Sequence, residues 1–136
     1  MSFAYPLTGL VTVITLLVFF WMGINVGRVR TKLKLPAPIM QGPDEFMRAL
    51  RVHENTMEGL LIFLPMLWLF AVTSSHDLWA AIIGIIYPVG RLLYARGYYT
   101  AADKRGPGFA IGLLSSFALL LGTLYFLISQ IVTNGF

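Results

Sequence analysis

Cysteine is absent from the 136 residues. Disulfides, thiolate metal sites and a cysteine nucleophile are therefore excluded, and any thiol chemistry needs a thiol brought in by another molecule. Charge is scarce as well: 12% of residues are Asp, Glu, Lys or Arg, against 57% hydrophobic. That balance is far from a soluble protein. Four long apolar runs take up most of the chain, so too little remains for a separate soluble domain. The net charge of +4 comes from basic residues beside those runs, a membrane pattern that excludes nucleic acid as a partner. No positive residue precedes the first run and no small-residue cleavage site follows it. It therefore reads as a membrane span and not as a signal peptide.

The first span runs from about Tyr5 to Val26, and Arg28, Arg30, Lys32 and Lys34 follow it directly. By the positive-inside rule this end is cytoplasmic and the N-terminus lies on the other side. The proline-rich LPAPIMQGP connection is extended, and Asp44 is expected to cap the second helix, with Glu45 in its first turn. That helix covers about residues 44–73, with Pro65 as an internal kink. The short SSHD turn has no Lys or Arg, as expected outside the cytoplasm. A third span covers about 78–99, with Pro88 as a second kink. The loop TAADKRGPG, with Lys104 and Arg105, returns to the cytoplasm, and an uncharged fourth span covers about 109–132. The fold class is thus all-α integral membrane: one domain over residues 1–136, a four-helix up-down bundle with both termini outside the cytoplasm.

The second helix begins wet and ends apolar. Arg48, Arg51, Asn55 and Glu58 recur at steps of three, four and three, so they share one face. Gly59–Val72 is shorter than the about 20 residues a span needs. The span therefore draws in the turns carrying Asn55 and Glu58, and polar groups at that depth suggest a functional site. The third helix has its own stripe of Tyr87, Arg91, Tyr94 and Tyr98. The two helices run in opposite directions, so the stripes reach similar depth, with Arg105 just beyond. The expectation is one basic, tyrosine-rich cavity open to the cytoplasm, with Glu58 at its floor, suited to a small polar anion that also carries an ammonium group.

Other readings bear on these residues. Arg28, Lys32, Lys34, Arg96 and Lys104 read first as snorkelling side chains. Arg51 and Glu58 together admit a structural ion pair, and tyrosines at helical spacing often only pack. His53 points away from the stripe and His76 lies at the opposite face, so they cannot share a metal, and no metal site is expected.

The motif R-x-x-x-N-x-x-E, as Arg51, Asn55 and Glu58 after GPDEF, resembles the second helix of the MAPEG family, membrane-associated proteins of eicosanoid and glutathione metabolism. GRLLYARGYYTAADKR, Gly90 to Arg105, resembles the third helix and following loop of its leukotriene C synthase branch. The resemblance implies a homotrimer with glutathione between neighbouring subunits near the cytoplasmic face. By the same resemblance Arg51, Asn55, Glu58, Tyr94 and Tyr98 contact glutathione, Arg30 helps hold a carboxylate and Arg91 supports the site. Arg105 matches the arginine that stabilises the thiolate, which makes it the catalytic candidate, and a hydrophobic electrophile arrives through the membrane lipid.

Gly59 departs from the branch, which tends to have tyrosine there, and His53 and Glu54 replace less polar neighbours. These differences favour a general glutathione transferase, with peroxidase as a side activity, over a dedicated eicosanoid synthase, and suggest a bacterial inner membrane. One alternative is a non-catalytic, lipid-presenting member of the family. Another is a small multidrug-type transporter, although such proteins usually centre an acidic residue in the first span and this one has none.

Overall fold

A computed structural model describes residues 2–135. Four helices carry the chain: α1 (Pro6–Leu33), α2 (Asp44–Ser74), α3 (Asp77–Thr100) and α4 (Gly106–Asn134). A short 3-10 turn, Ala102–Arg105, leads into α4. All four are long and apolar enough to cross a membrane, and no strand occurs among the described residues. The helices alternate in direction. Asp77 at the start of α3 meets Leu7 and Thr8 at the start of α1, while Gln130 near the end of α4 donates to the Thr73 carbonyl near the end of α2. In cross-section α1 and α4 occupy opposite corners, and α2 and α3 touch across the other diagonal. That diagonal is where the two polar stripes meet.

The core sits mainly between α2 and α3. Phe63 stacks on Tyr87 with ring centroids 4.0 Å apart, and Leu67, Ala71, Ala80 and Leu119 are fully buried around them. Outward faces carry Leu61, Leu114, Phe20 and Val132, each more than 60% exposed. A bundle whose outward faces are this apolar is arranged for lipid, because hydrocarbon needs no polar cover.

Three boundaries differ from the sequence expectation. Helix α1 continues to Leu33, because Val26, Val29 and Leu33 pack on Phe46, Ala49 and Leu50 of α2 and hold the basic turns in helical form. Asp44 does not cap α2: Pro43 holds the cap position with extended geometry, no side-chain cap bond forms, and Asp44 is already the first helical residue. Its charge acts only on the helix dipole. Third, α4 begins at Gly106, with Pro107 in its first turn where a missing N–H costs nothing.

The acidic cap the fold does use lies at the other end. The Asp77 carboxylate accepts from the Leu7 N–H at 2.9 Å, the Thr8 N–H at 2.8 Å and the Thr8 hydroxyl at 2.7 Å. One side chain thus satisfies two orphan donors of α1 and ties it to α3. Asp77→Ala should lower stability by about 1–2 kcal/mol, measured as a thermal midpoint a few degrees lower with unchanged helix content.

Candidate functional site

At 31 residues, α2 is about 46 Å long, well beyond a hydrocarbon core of about 30 Å. Its first turns therefore stand in the interfacial region, as expected of a segment rich in Asp, Glu and Arg. Asn55 lies about 16 Å along the helix, and Arg91 lies about 14 Å before the end of the antiparallel α3. The two side chains meet: Arg91 Nη1 donates to Asn55 Oδ1 at 3.0 Å.

Above this contact is a cavity of about 570 Å³, lined by Arg51, Glu54, Asn55 and Glu58 of α2, Tyr94 and Tyr98 of α3, Arg105 of the 3-10 turn and Phe109 of α4. Six of the eight expected site residues are among these. Tyr94 is buried, and its ring meets Tyr98 edge-on with centroids 5.6 Å apart. The Arg105 guanidinium sits 5.5 Å from the centroid of the Tyr98 ring, within cation–π range, so the aromatic stripe also positions the arginine.

Arg91, the seventh, lies behind this cavity. It is 5% exposed and has no carboxylate within 4 Å among the described residues. Its charge is met by Asn55, by the Tyr87 hydroxyl at 3.3 Å from Nε, and by the rings of Tyr87, Tyr94 and Phe109. Holding Asn55 in place is thus its contribution to the cavity. Arg30, the eighth, is elsewhere. It donates to the carbonyls of Leu35 and Ile39 and stacks over Phe46 at 4.8 Å, closing the turn after α1.

The charge of the cavity differs from the expectation. A basic cavity was anticipated, yet Glu54 joins Glu58 in its wall, so two carboxylates face two guanidiniums. Arg51 approaches Glu54 at 3.9 Å, too far for a hydrogen bond, and makes no ion pair with Glu58. The structural Arg51–Glu58 pair is therefore absent. Glu54 was within reach of sequence reasoning, since it stands three residues after Arg51 and i,i+3 positions adjoin on a helix. Arg48, placed on the same face, lines an adjoining hollow with Arg51 and Tyr98 instead. His53 turns away as expected and stacks on Phe19, with centroids 4.5 Å apart. Among the described residues no group of His, Asp and Glu is placed to hold a metal.

What the cavity offers chemically is a pair of cations, a pair of anions and two phenols around a water-accessible space. Its size is within the roughly 300–1,000 Å³ of small-molecule sites. Alternating charges of this kind suit a zwitterionic ligand more than a simple anion. A model of the MAPEG family matches residues 8–125. The chain belongs to the MAPEG family.

As a MAPEG protein with four apolar spans, it is an integral membrane protein. It is 45% identical to an uncharacterized protein of Synechocystis over 90% of this chain and 88% of that one. It is 36% identical to human microsomal glutathione S-transferase 2 over 74% of this chain and 69% of that protein. It is 33% identical to bovine leukotriene C4 synthase over 70% of this chain and 63% of that enzyme. The alignments thus span about two thirds of these mammalian relatives.

Proposed function

We propose that this MAPEG protein is a membrane-bound glutathione transferase that conjugates hydrophobic electrophiles, with hydroperoxide reduction as a side activity. One observation carries the reading: Arg51, Asn55, Glu58, Tyr94, Tyr98 and Arg105, from three separate elements, line one cavity. The relatives named as a glutathione S-transferase and a leukotriene C4 synthase support it. Glutathione carries two carboxylates, one ammonium and one thiol, and it supplies the nucleophilic sulfur that this cysteine-free chain lacks.

In this reading Arg51 binds a carboxylate, Glu58 meets the ammonium group, and Asn55, pinned by Arg91, offers its amide to the peptide backbone. Tyr94 and Tyr98 donate hydroxyls and wall the site. Arg105 is the catalytic residue. A guanidinium that stays charged over the working pH range favours the thiolate over the thiol. In this reading the protein acts as a homotrimer with glutathione between neighbouring subunits, where Arg30, which lies outside the cavity of a single protomer, helps hold a carboxylate. The cavity, in this reading, faces the cytoplasm and both termini lie opposite it, which the basic helix ends support through the positive-inside rule, and the host is a bacterial inner membrane.

Calorimetric titration of the purified protein with glutathione, together with thiolate absorbance, tests the reading. Saturable binding with a thiolate band at neutral pH is expected; no binding would overturn it. Glu58→Gln should weaken glutathione binding about tenfold, the scale of one lost charge-assisted hydrogen bond. The same change should leave binding of a des-amino glutathione analogue nearly unaltered.

A further inference from the structure

One charged group in the cavity wall has no role in binding glutathione as described above. Arg51, Glu58 and Arg105 each face a charged group of the peptide in that reading, whereas Glu54, beside them, faces none. Its Oε2 lies 3.9 Å from Arg51 Nη1, beyond hydrogen-bond reach but close enough for direct charge attraction. Glu58 follows four residues later on α2, a spacing at which like charges adjoin and repel. The wall thus carries as many carboxylates as guanidiniums. Once Arg105 faces the sulfur and Glu58 the ammonium group, a ligand carboxylate that reaches Arg51 finds Glu54 already there.

Helix spacing identifies that carboxylate. Arg51 and Glu58 are two turns apart, about 10.5 Å along α2. One carboxylate of glutathione shares a carbon atom with the ammonium group and so stays near Glu58. The carboxylate that spans to Arg51 is the one at the glycine end. That end of the cavity is also the open one, since the side chains of Arg51 and Glu54 are 63% and 34% exposed.

We propose that Glu54 sets the thiol specificity of the site by standing in for the glycine carboxylate at Arg51. A γ-glutamyl-cysteinyl thiol whose glycine end is a neutral amide then binds about as well as glutathione. Such a ligand forgoes an ion pair with Arg51 that Glu54 has already weakened, and it escapes repulsion by Glu54. The two effects offset each other, because exposed ion pairs are individually weak. The accepted thiol donors therefore extend to those without a free carboxylate at this end, an assignment that rests on the transferase reading.

Calorimetric titration of the full chain in lipid nanodiscs, with glutathione and with its C-terminal amide, tests this. In the wild type the two Kd values should agree within about threefold. Glu54→Gln keeps the shape and removes the charge. It should bind glutathione at least about threefold more tightly, with the amide Kd within about twofold of wild type. A purely structural role for Glu54 would move both ligands alike, and that result would overturn the proposal. So would a glutathione Kd that is unchanged or weaker in Glu54→Gln, or a wild type that binds the amide more than about threefold less tightly than glutathione; each of these leaves the transferase reading standing. A wild type that binds neither thiol would sink the transferase reading and this assignment with it.

Discussion

Replacing Arg105 by alanine should leave glutathione binding largely intact and remove most of the conjugation rate at neutral pH. The arginine sits on the 3-10 turn with its guanidinium over the Tyr98 ring, at the edge of the cavity and away from the α2 residues proposed to hold the peptide. A free thiol of pKa about 8.5 is about 3% ionised at pH 7, whereas one lowered to about 6.5 is about 76% ionised. The difference is about 25-fold in nucleophile concentration and takes about 2.7 kcal/mol of preference for the thiolate. The sign fixes the pH profile. A lowered pKa raises the thiolate fraction most at and below the lowered value and ceases to matter above the free one. The gap between wild type and variant should therefore narrow from about 25-fold at pH 7 to about twofold at pH 8.5. By pH 9 it should fall below about twofold, when even the unassisted thiol is mostly ionised. Arg105→Lys, which keeps a positive charge but not the planar fork, should recover part of the neutral-pH rate. Stopped-flow thiolate absorbance and steady-state rates from pH 6 to 9 would measure this. An Arg105→Ala protein that binds glutathione and keeps full activity at pH 7 would remove the assignment.

The bundle was legible because its signals are long. Four apolar runs, interrupted by basic loops on one side only, determine helix number, direction and topology with little help from packing. The i, i+3, i+4 stripes on α2 and α3 were equally readable, and the antiparallel depth argument put them at similar depth, though the Arg91–Asn55 contact itself was not foreseen. Helix ends were harder. Asp44 has the right residue type beside Pro43, yet the proline itself takes the cap position, and only tertiary packing on Phe46 keeps α1 helical through its basic turns. The cap at Asp77 joins residues about seventy positions apart, and no local pattern announces it. Phe109 was missed for a similar reason, since its place in the cavity depends on how closely α4 approaches α3. Gly59 was noticed as a departure, but that a side chain there would meet Tyr87 and Arg91 depends on where those two side chains turn.

That approach of α4 to α3 carries the other large effect. Gly108 packs directly on the backbone of Tyr94, and a Cβ on it would lie 2.5 Å from the Tyr94 Cα and 2.7 Å from the Leu93 carbonyl carbon. Gly90 meets Gly112 across the same seam, with 2.6 Å between its would-be Cβ and the Gly112 nitrogen, and Gly97 nests against the Lys104 carbonyl. Small residues let membrane helices approach this closely, and here the approach sets where Arg105 and Phe109 stand relative to Tyr94 and Tyr98. Gly108→Ala should gain about 1 kcal/mol of helix propensity. The clash is with backbone, which no rotamer change can relieve, and overpacking of this kind costs about 1–3 kcal/mol. The clash should win, and α4 should shift outward to relieve it. A displacement of about 1 Å in a positioned catalytic group can cost about 100-fold in rate. The expected variant is therefore folded, melts several degrees lower, binds glutathione within a fewfold of wild type and loses at least tenfold in kcat at pH 7. Its pH profile should steepen toward that of Arg105→Ala, because Arg105 is displaced and not removed. Wild-type melting and wild-type kcat in Gly108→Ala would mean that the seam tolerates a methyl group and that Arg105 is positioned by the Tyr98 ring alone.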